Sequence, residues 1–123
     1  MESGGLGLEV GADRRAEVLL YDGNVYQRVS FNYETNVYYH VVATYDGSTY
    51  TVYLNGQKLG SHAISNFRFT NNAASKCIYL GGDTHWDGDV LSLSNCAVAG
   101  FKLYSYALDE AGAAKAYSDM TKK

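Results

Sequence analysis

Residues 38–56 read YYHVVATYDGSTYTVYLNG. Tyr39, Val41, Ala43 and Tyr45 alternate with His40, Val42 and Thr44, and Tyr50, Val52 and Leu54 alternate with Thr51 and Tyr53. A period of two in β-branched and aromatic residues marks a pleated strand, whose side chains point to opposite faces in turn. Asp46-Gly47 and Asn55-Gly56 interrupt the alternation. Both dipeptides supply the positive φ angles that tight hairpin turns demand. The stretch therefore reads as two strands joined at Asp46-Gly47 and closed by a second turn at Asn55-Gly56.

The same pattern recurs on both sides. Strands are expected at Leu6–Val10, Ala16–Tyr21, Tyr26–Asn32, Tyr38–Tyr45, Thr49–Leu54, Gln57–Ala63, Cys77–Gly81, Val90–Ser94 and Val98–Tyr104. Short strands at a spacing of roughly 8–12 residues point to an all-β sandwich or barrel. One helix is expected near the end: Asp109 can cap the Ala-rich segment Glu110–Ser118, and Gly112 limits it to a few turns. Leu108, Ala111, Ala114 and Tyr117 fall near one face of that helix and could dock on the sandwich. Residues 66–76, with Asn71-Asn72-Ala73-Ala74-Ser75, read as a loop.

A chain of 123 residues suggests one domain and can bury a sizeable core. Hydrophobic residues at 46% against charged residues at 19% describe a globular chain and not a disordered one. The formal net charge is −3, without a cluster of Lys or Arg, so nucleic acid is not expected as a partner: phosphate binding needs a concentrated basic face. No apolar run reaches the roughly 18 residues of a membrane span. The first residues lack the basic and apolar regions of a signal peptide. Cys77 and Cys96 permit one disulfide without demanding one. Symmetric pairing of Ile78–Gly82 with Leu91–Asn95 would set them opposite each other.

Tyr38-Tyr39-His40-Val41-Val42-Ala43-Thr44-Tyr45-Asp46-Gly47 and Tyr53-Leu54-Asn55-Gly56 resemble the pattern WYHVVATYDG…LYVNG of concanavalin A-like sandwiches of laminin G-like and pentraxin type. Gly4-Gly5-Leu6-Gly7-Leu8 is similar to the family's GGYGL strand, and Ile78-Tyr79-Leu80-Gly81-Gly82 to its LTIGG strand. Phe101-Lys102-Leu103-Tyr104-Ser105-Tyr106-Ala107-Leu108 is similar to its VRIYNRAL closing strand. Tyr38 stands where the family usually has Trp, and Val98-Ala99-Gly100 where it often has an acidic pair. The resemblance implies a jelly-roll-type antiparallel sandwich and a secreted binding module, most often for carbohydrate. Such sandwiches usually carry further strands before the GGYGL piece. The chain is therefore expected to be the C-terminal part of a larger domain, an incomplete sandwich. An uncovered sheet edge invites a homodimer, a covering segment of the parent protein, or a closure of the chain's own.

The densest cluster of candidate functional residues is Gly81-Gly82-Asp83-Thr84-His85-Trp86-Asp87-Gly88-Asp89. Asp83, Asp87 and Asp89 offer hard oxygen ligands suited to Ca²⁺, though their spacing is not that of an EF-hand. Trp86 and His85 can stack on the apolar face of a pyranose while Asp83 and Asp87 accept its hydroxyl protons. The bland alternative is a solvated hairpin loop with Trp86 folded over the sandwich end. Most of the twelve tyrosines are expected to pack across strands, with a glycan platform as the alternative. His40 reads as structural, and His62 has no obvious partner. Catalysis is not expected: the laminarinase-like glucanases of this general fold place carboxylates in an ExDxE pattern on one strand face, and the chain has no such triplet. The expected function is a non-catalytic carbohydrate-binding module. A protein-binding adhesion or assembly module, or a ligand-free spacer beside a catalytic domain, is the alternative.

Overall fold

A computed structural model describes residues 5–21, 24–65, 67, 83–84, 90–91 and 96–122. They fall into two units, one drawn from Met1–Phe69 and Ser105–Lys123, the other from Thr70–Tyr104.

In the first unit, β1 (Leu6–Val10), β2 (Arg15–Tyr21) and β3 (Tyr26–Asn32) form an antiparallel sheet in the order β1-β2-β3. Leu8 pairs with Val18 and Val18 with Val29, so these and the alternate apolar positions beside them share one face, while Leu19, opposite Gly7 and Arg28, is buried on the other. The turn from β1 to β2 needs Arg14 in the left-handed region at φ 63°. Two bonds from Tyr33 hold it there: its hydroxyl donates to Gly11 O at 2.7 Å, and its N–H to Arg14 O at 2.9 Å.

β4 (Val41–Tyr45), β5 (Thr49–Leu54) and β6 (Gln57–Ala63) form a second antiparallel sheet in the order β4-β5-β6. Asp46 builds the first turn by accepting at one carboxylate oxygen from Ser48 N–H at 2.9 Å and Thr49 N–H at 2.8 Å. In the second turn Asn55 and Gly56 sit at φ 50° and 80°, the consecutive positive angles of a type I′ hairpin. β4 begins at Val41, three residues later than expected from the pattern. Asn55 explains the difference. Its N–H donates to His40 O at 2.8 Å, and its side-chain oxygen accepts from His40 N–H at 2.9 Å. The ladder ends on that clamp, and past Asn55 the neighbouring strand turns away from Tyr38 and Tyr39.

The apolar faces of the two sheets meet. Val18, Leu20 and Val29 from one and Tyr50 and Val52 from the other form the core with Ile64 and Phe67. Fully burying side chains of this kind contributes about 1.5–3 kcal/mol each. β3 and β6 approach closely because Gly60 has no side chain: a Cβ there would lie 3.1 Å from Val29 Cγ1. His62, for which the sequence offered no partner, bonds through Nε2 to Arg28 O of β3 at 2.8 Å and stacks on Tyr50. Tyr45 packs edge-on against Phe67 and donates its hydroxyl to Ile64 O at 2.9 Å. Packing in the core is thus the role of Tyr45 and Tyr50, and Tyr53 is buried as well, whereas Tyr38 is exposed. Burial pushes the Tyr50 phenol well above its usual range.

The helix α1 (Glu110–Thr121) starts where expected, with Asp109 accepting from Gly112 N–H at 2.7 Å. It runs three residues past the expected Ser118. Lys115 pairs with Asp119, and the Thr121 hydroxyl donates to Tyr117 O, which together hold the last turn. The inward face also differs. Ala113 is buried and Ala116 and Tyr117 are half-buried, while Ala111 and Ala114 are exposed. The helix rests on the Asn55-Gly56 turn: a Cβ on Gly56 would lie 3.2 Å from both Ala114 Cα and Tyr117 Cδ1. Contact with a turn selects a narrower face than a flat sheet would. The described residues of this unit thus form the expected all-β sandwich with one C-terminal helix.

In the second unit β7 (Asp83–Thr84) pairs antiparallel with β8 (Val90–Leu91). The expected strand Cys77–Gly81 and residues 92–94 lie outside the described residues. The expected strand Val98–Tyr104 is a correction: residues 96–104 carry no strand, and Val98, Phe101 and Leu103 are exposed. Strand propensity measures fit to a pleated surface, and a strand also needs a neighbouring edge to take its N–H and C=O groups.

Two outcomes follow from the turns. Gly56→Ala should lower stability by about 2–3 kcal/mol, because it adds a Cβ against the helix to the strain of a positive φ. Gly47→Ala, at φ 101° with open space around it, should cost only about 1 kcal/mol. Thermal unfolding of the two variants checks the difference. The hydrogen bonds from Ser48 and Thr49 hold the Asp46 carboxyl below its ordinary range. A depressed folded value means stability that is present above the unfolded carboxylate range and lost as pH falls through the folded one. Asp46→Asn, which keeps the acceptor oxygen, should therefore flatten the acid limb of stability against pH below about 4. Urea unfolding at a series of acidic pH values reads it.

Candidate functional site

The backbone of Asp83 lies in β7, opposite Leu91, and Thr84 lies opposite Val90. An antiparallel pair separated by residues 85–89 is a hairpin. His85, Trp86, Asp87 and Asp89 lie outside the described residues, as does the Asp83 side chain. The register bears on the cysteines. Facing positions sum to 174 at both described pairs, whereas Cys77 opposite Cys96 requires 173. One residue of slip moves a side chain to the other sheet face, so symmetric pairing is not the arrangement at these pairs. Cys77 lies outside the described residues, and Cys96 is exposed.

A second surface, not anticipated from the sequence, lies on the polar face of the β1-β2-β3 sheet. Glu17 pairs with Arg15 at 3.1 Å and also with Arg28 of β3. Arg15 reaches Ser30 Oγ at 3.3 Å. The Arg28 guanidinium lies over the Tyr26 ring, 5.1 Å from its centroid, and Tyr26 packs against Tyr21 at 4.6 Å. A shallow cavity of about 260 Å³ beside them is lined by Glu9, Val10, Gly11, Asp13, Arg15 and Glu17. Charge-assisted bonds between the strands hold donors and acceptors in fixed positions, which suits a polar, hydroxyl-rich ligand. The signal was present in the sequence: Arg15, Glu17 and Tyr21 alternate with Ala16, Val18 and Leu20. Only the pairing of Glu17 with Ser30 and of Tyr21 with Tyr26 brings the two strands' rows together, with Leu19 buried between them. Among the described residues no group of three His, Cys, Asp or Glu could hold a metal ion.

The family profile described as the concanavalin A-like lectin/glucanases superfamily matches residues 1–113. The chain belongs to this superfamily. Its laminin G-like features are the turns and strands described above, with the closing strand as the departure. A solved structure of similar fold is an S-layer domain-containing protein (residues 221–444) from Clostridium thermocellum, with a TM-score of 0.59 at 17% identity. The likeness covers 95% of this chain and 58% of that one, so the chain spans little more than half of its neighbour. At that identity the likeness bears on the fold alone. No curated protein matches. No helix among the described residues is long and apolar enough to cross a membrane.

Proposed function

We propose that this chain is a non-catalytic, carbohydrate-binding module of an extracellular or cell-surface protein, with its sugar site on the loop of residues 85–89. The observation that supports the reading is the antiparallel pairing of Asp83 with Leu91 and of Thr84 with Val90, which brackets the sequence His85-Trp86-Asp87-Gly88-Asp89. An aromatic ring there would cover the C–H face of a sugar while Asp83 and Asp87 accept its hydroxyl protons. Asp83, Asp87 and Asp89 would bind Ca²⁺ through their carboxylates. The superfamily's description names lectins beside glucanases, and the neighbour's S-layer wording supports a surface setting. The lack of an ExDxE triplet supports binding without hydrolysis, since glycoside cleavage commonly takes a pair of carboxylates across the bond. A protein-assembly role is the second reading, favoured by the exposed apolar row of β1.

A glycan array followed by calorimetry tests the first reading. Trp86→Ala should weaken binding of the selected sugar by about 1–3 kcal/mol with the fold intact. An unchanged titration would remove Trp86 from the site, and Arg28→Ala would then test the polar sheet face in its place. Calcium should raise the melting temperature and chelator lower it, because a ligand bound only to the folded state stabilises it. Coincident melting curves would reject the metal.

A further inference from the structure

Among the described strands β1 is an edge, with β2 on one side and no described strand on the other. Gly5 O accepts from Tyr21 N–H, and Gly11 N–H donates to Arg15 O, both at 2.8 Å. In an antiparallel pair the hydrogen-bonded positions alternate, so the odd-numbered residues of β1 bond to β2. The N–H and C=O groups of Leu6, Leu8 and Val10 therefore point away from the sheet. Their side chains extend the core face, opposite Leu20, Val18 and Ala16, yet they are 46%, 52% and 46% exposed. Among the described residues the edge is thus incomplete twice, in its hydrogen bonds and in its apolar cover. β4 is also an edge, but Val41, Ala43 and Tyr45 already pack on the core. The remaining edges, β3 and β6, meet each other through the His62 bond to Arg28.

We propose that β1 pairs antiparallel with β1 of a second copy of this chain, about a two-fold axis through Leu8. This inference stands apart from the sugar-binding reading. The strand fits itself in this register. Leu8 faces the partner's Leu8, and Leu6 faces the partner's Val10, so every outward backbone group meets an outward group. A slip of one residue would set outward groups against groups already bonded to β2, and a slip of two would lose a facing pair. The three apolar side chains of each copy then form one continuous row. On the other face Glu9 lies opposite the partner's Gly7, which keeps the two carboxylates from facing directly. Two three-stranded sheets become one six-stranded sheet. Five residues a side make a small interface, below about 1,200 Å², as in transient complexes. The dimer should accordingly be weak and dependent on concentration.

The test is amide hydrogen exchange with sedimentation equilibrium on the whole chain, from about 1 μM to 1 mM, the span of weak association. Exchange at Leu6, Leu8 and Val10 should slow about tenfold when nine-tenths of the chains are paired, since exchange proceeds from the open fraction. Gly7 and Glu9, bonded within the sheet, should stay protected at every concentration. Leu8→Lys sets two like charges against each other and should give a folded monomer. Leu6→Lys with Val10→Glu sets opposite charges in register and should restore the dimer lost in Leu6→Lys alone. Fast exchange at the three outward amides at all concentrations would overturn the proposal. So would their protection at high dilution, which would mean that another segment covers the edge. A dimer indifferent to Leu8→Lys would place the interface elsewhere.

Discussion

Asn55 and Gly56 carry more of this structure than any other pair. They reverse the chain between β5 and β6, clamp His40 at the entry to β4, and seat α1. Each task uses a different property. Consecutive positive φ angles make the hairpin, the Asn55 amide oxygen takes the place of a ladder carbonyl, and the missing Gly56 side chain leaves room for Ala114 and Tyr117. The Tyr117 ring lies 5.7 Å from the His40 imidazole, so the clamp and the helix are also in contact with each other. A change at this turn would reach three elements at once, although the turn lies outside the apolar core.

The sandwich closes unequally. On one side β3 and β6 are drawn together by the absence of a side chain at Gly60 and by the His62 bond. On the other side no described strand pairs with the outer edge of β1. No polar or charged residue is buried among the described residues, so the interior rests on apolar packing. The ion pairs of Glu17 with Arg15 and Arg28 lie at the surface, where such contacts contribute little to stability. They fix the shape of the polar face instead, because Glu17 joins guanidinium groups from two strands.

Membership of a superfamily named for both lectins and glucanases leaves function to the site, since one scaffold carries unrelated chemistries. The Arg-Glu-Tyr face of the first sheet presents chemistry among the described residues, whereas residues 85–89, the proposed sugar site, lie outside them. Residues 85–89 stand out in the sequence because aromatic, acidic and glycine residues are contiguous there, and their role is a proposal. Of the sheet face the sequence carried only the alternation within β2, because its members come from separate strands and meet only once the register is set.

Local features were determined by the sequence alone. β1, β3, β5 and β6 have the bounds that alternation and turn residues imply, and Asp109 caps the helix as its position requires. These depend on φ and ψ preferences and on a period of two, which each segment carries within itself. Tertiary structure decided whatever depends on a neighbour. Residues 98–104 have a strand's composition and no strand, because pairing needs an adjacent edge. His62 gained a partner only when β6 met β3. The helix buried Ala113 and not Ala111, because it docks on the Asn55-Gly56 turn with β6 beside it. A side chain's alternation is written in its own strand, but the group that meets it lies elsewhere in the chain, at a distance that only folding closes.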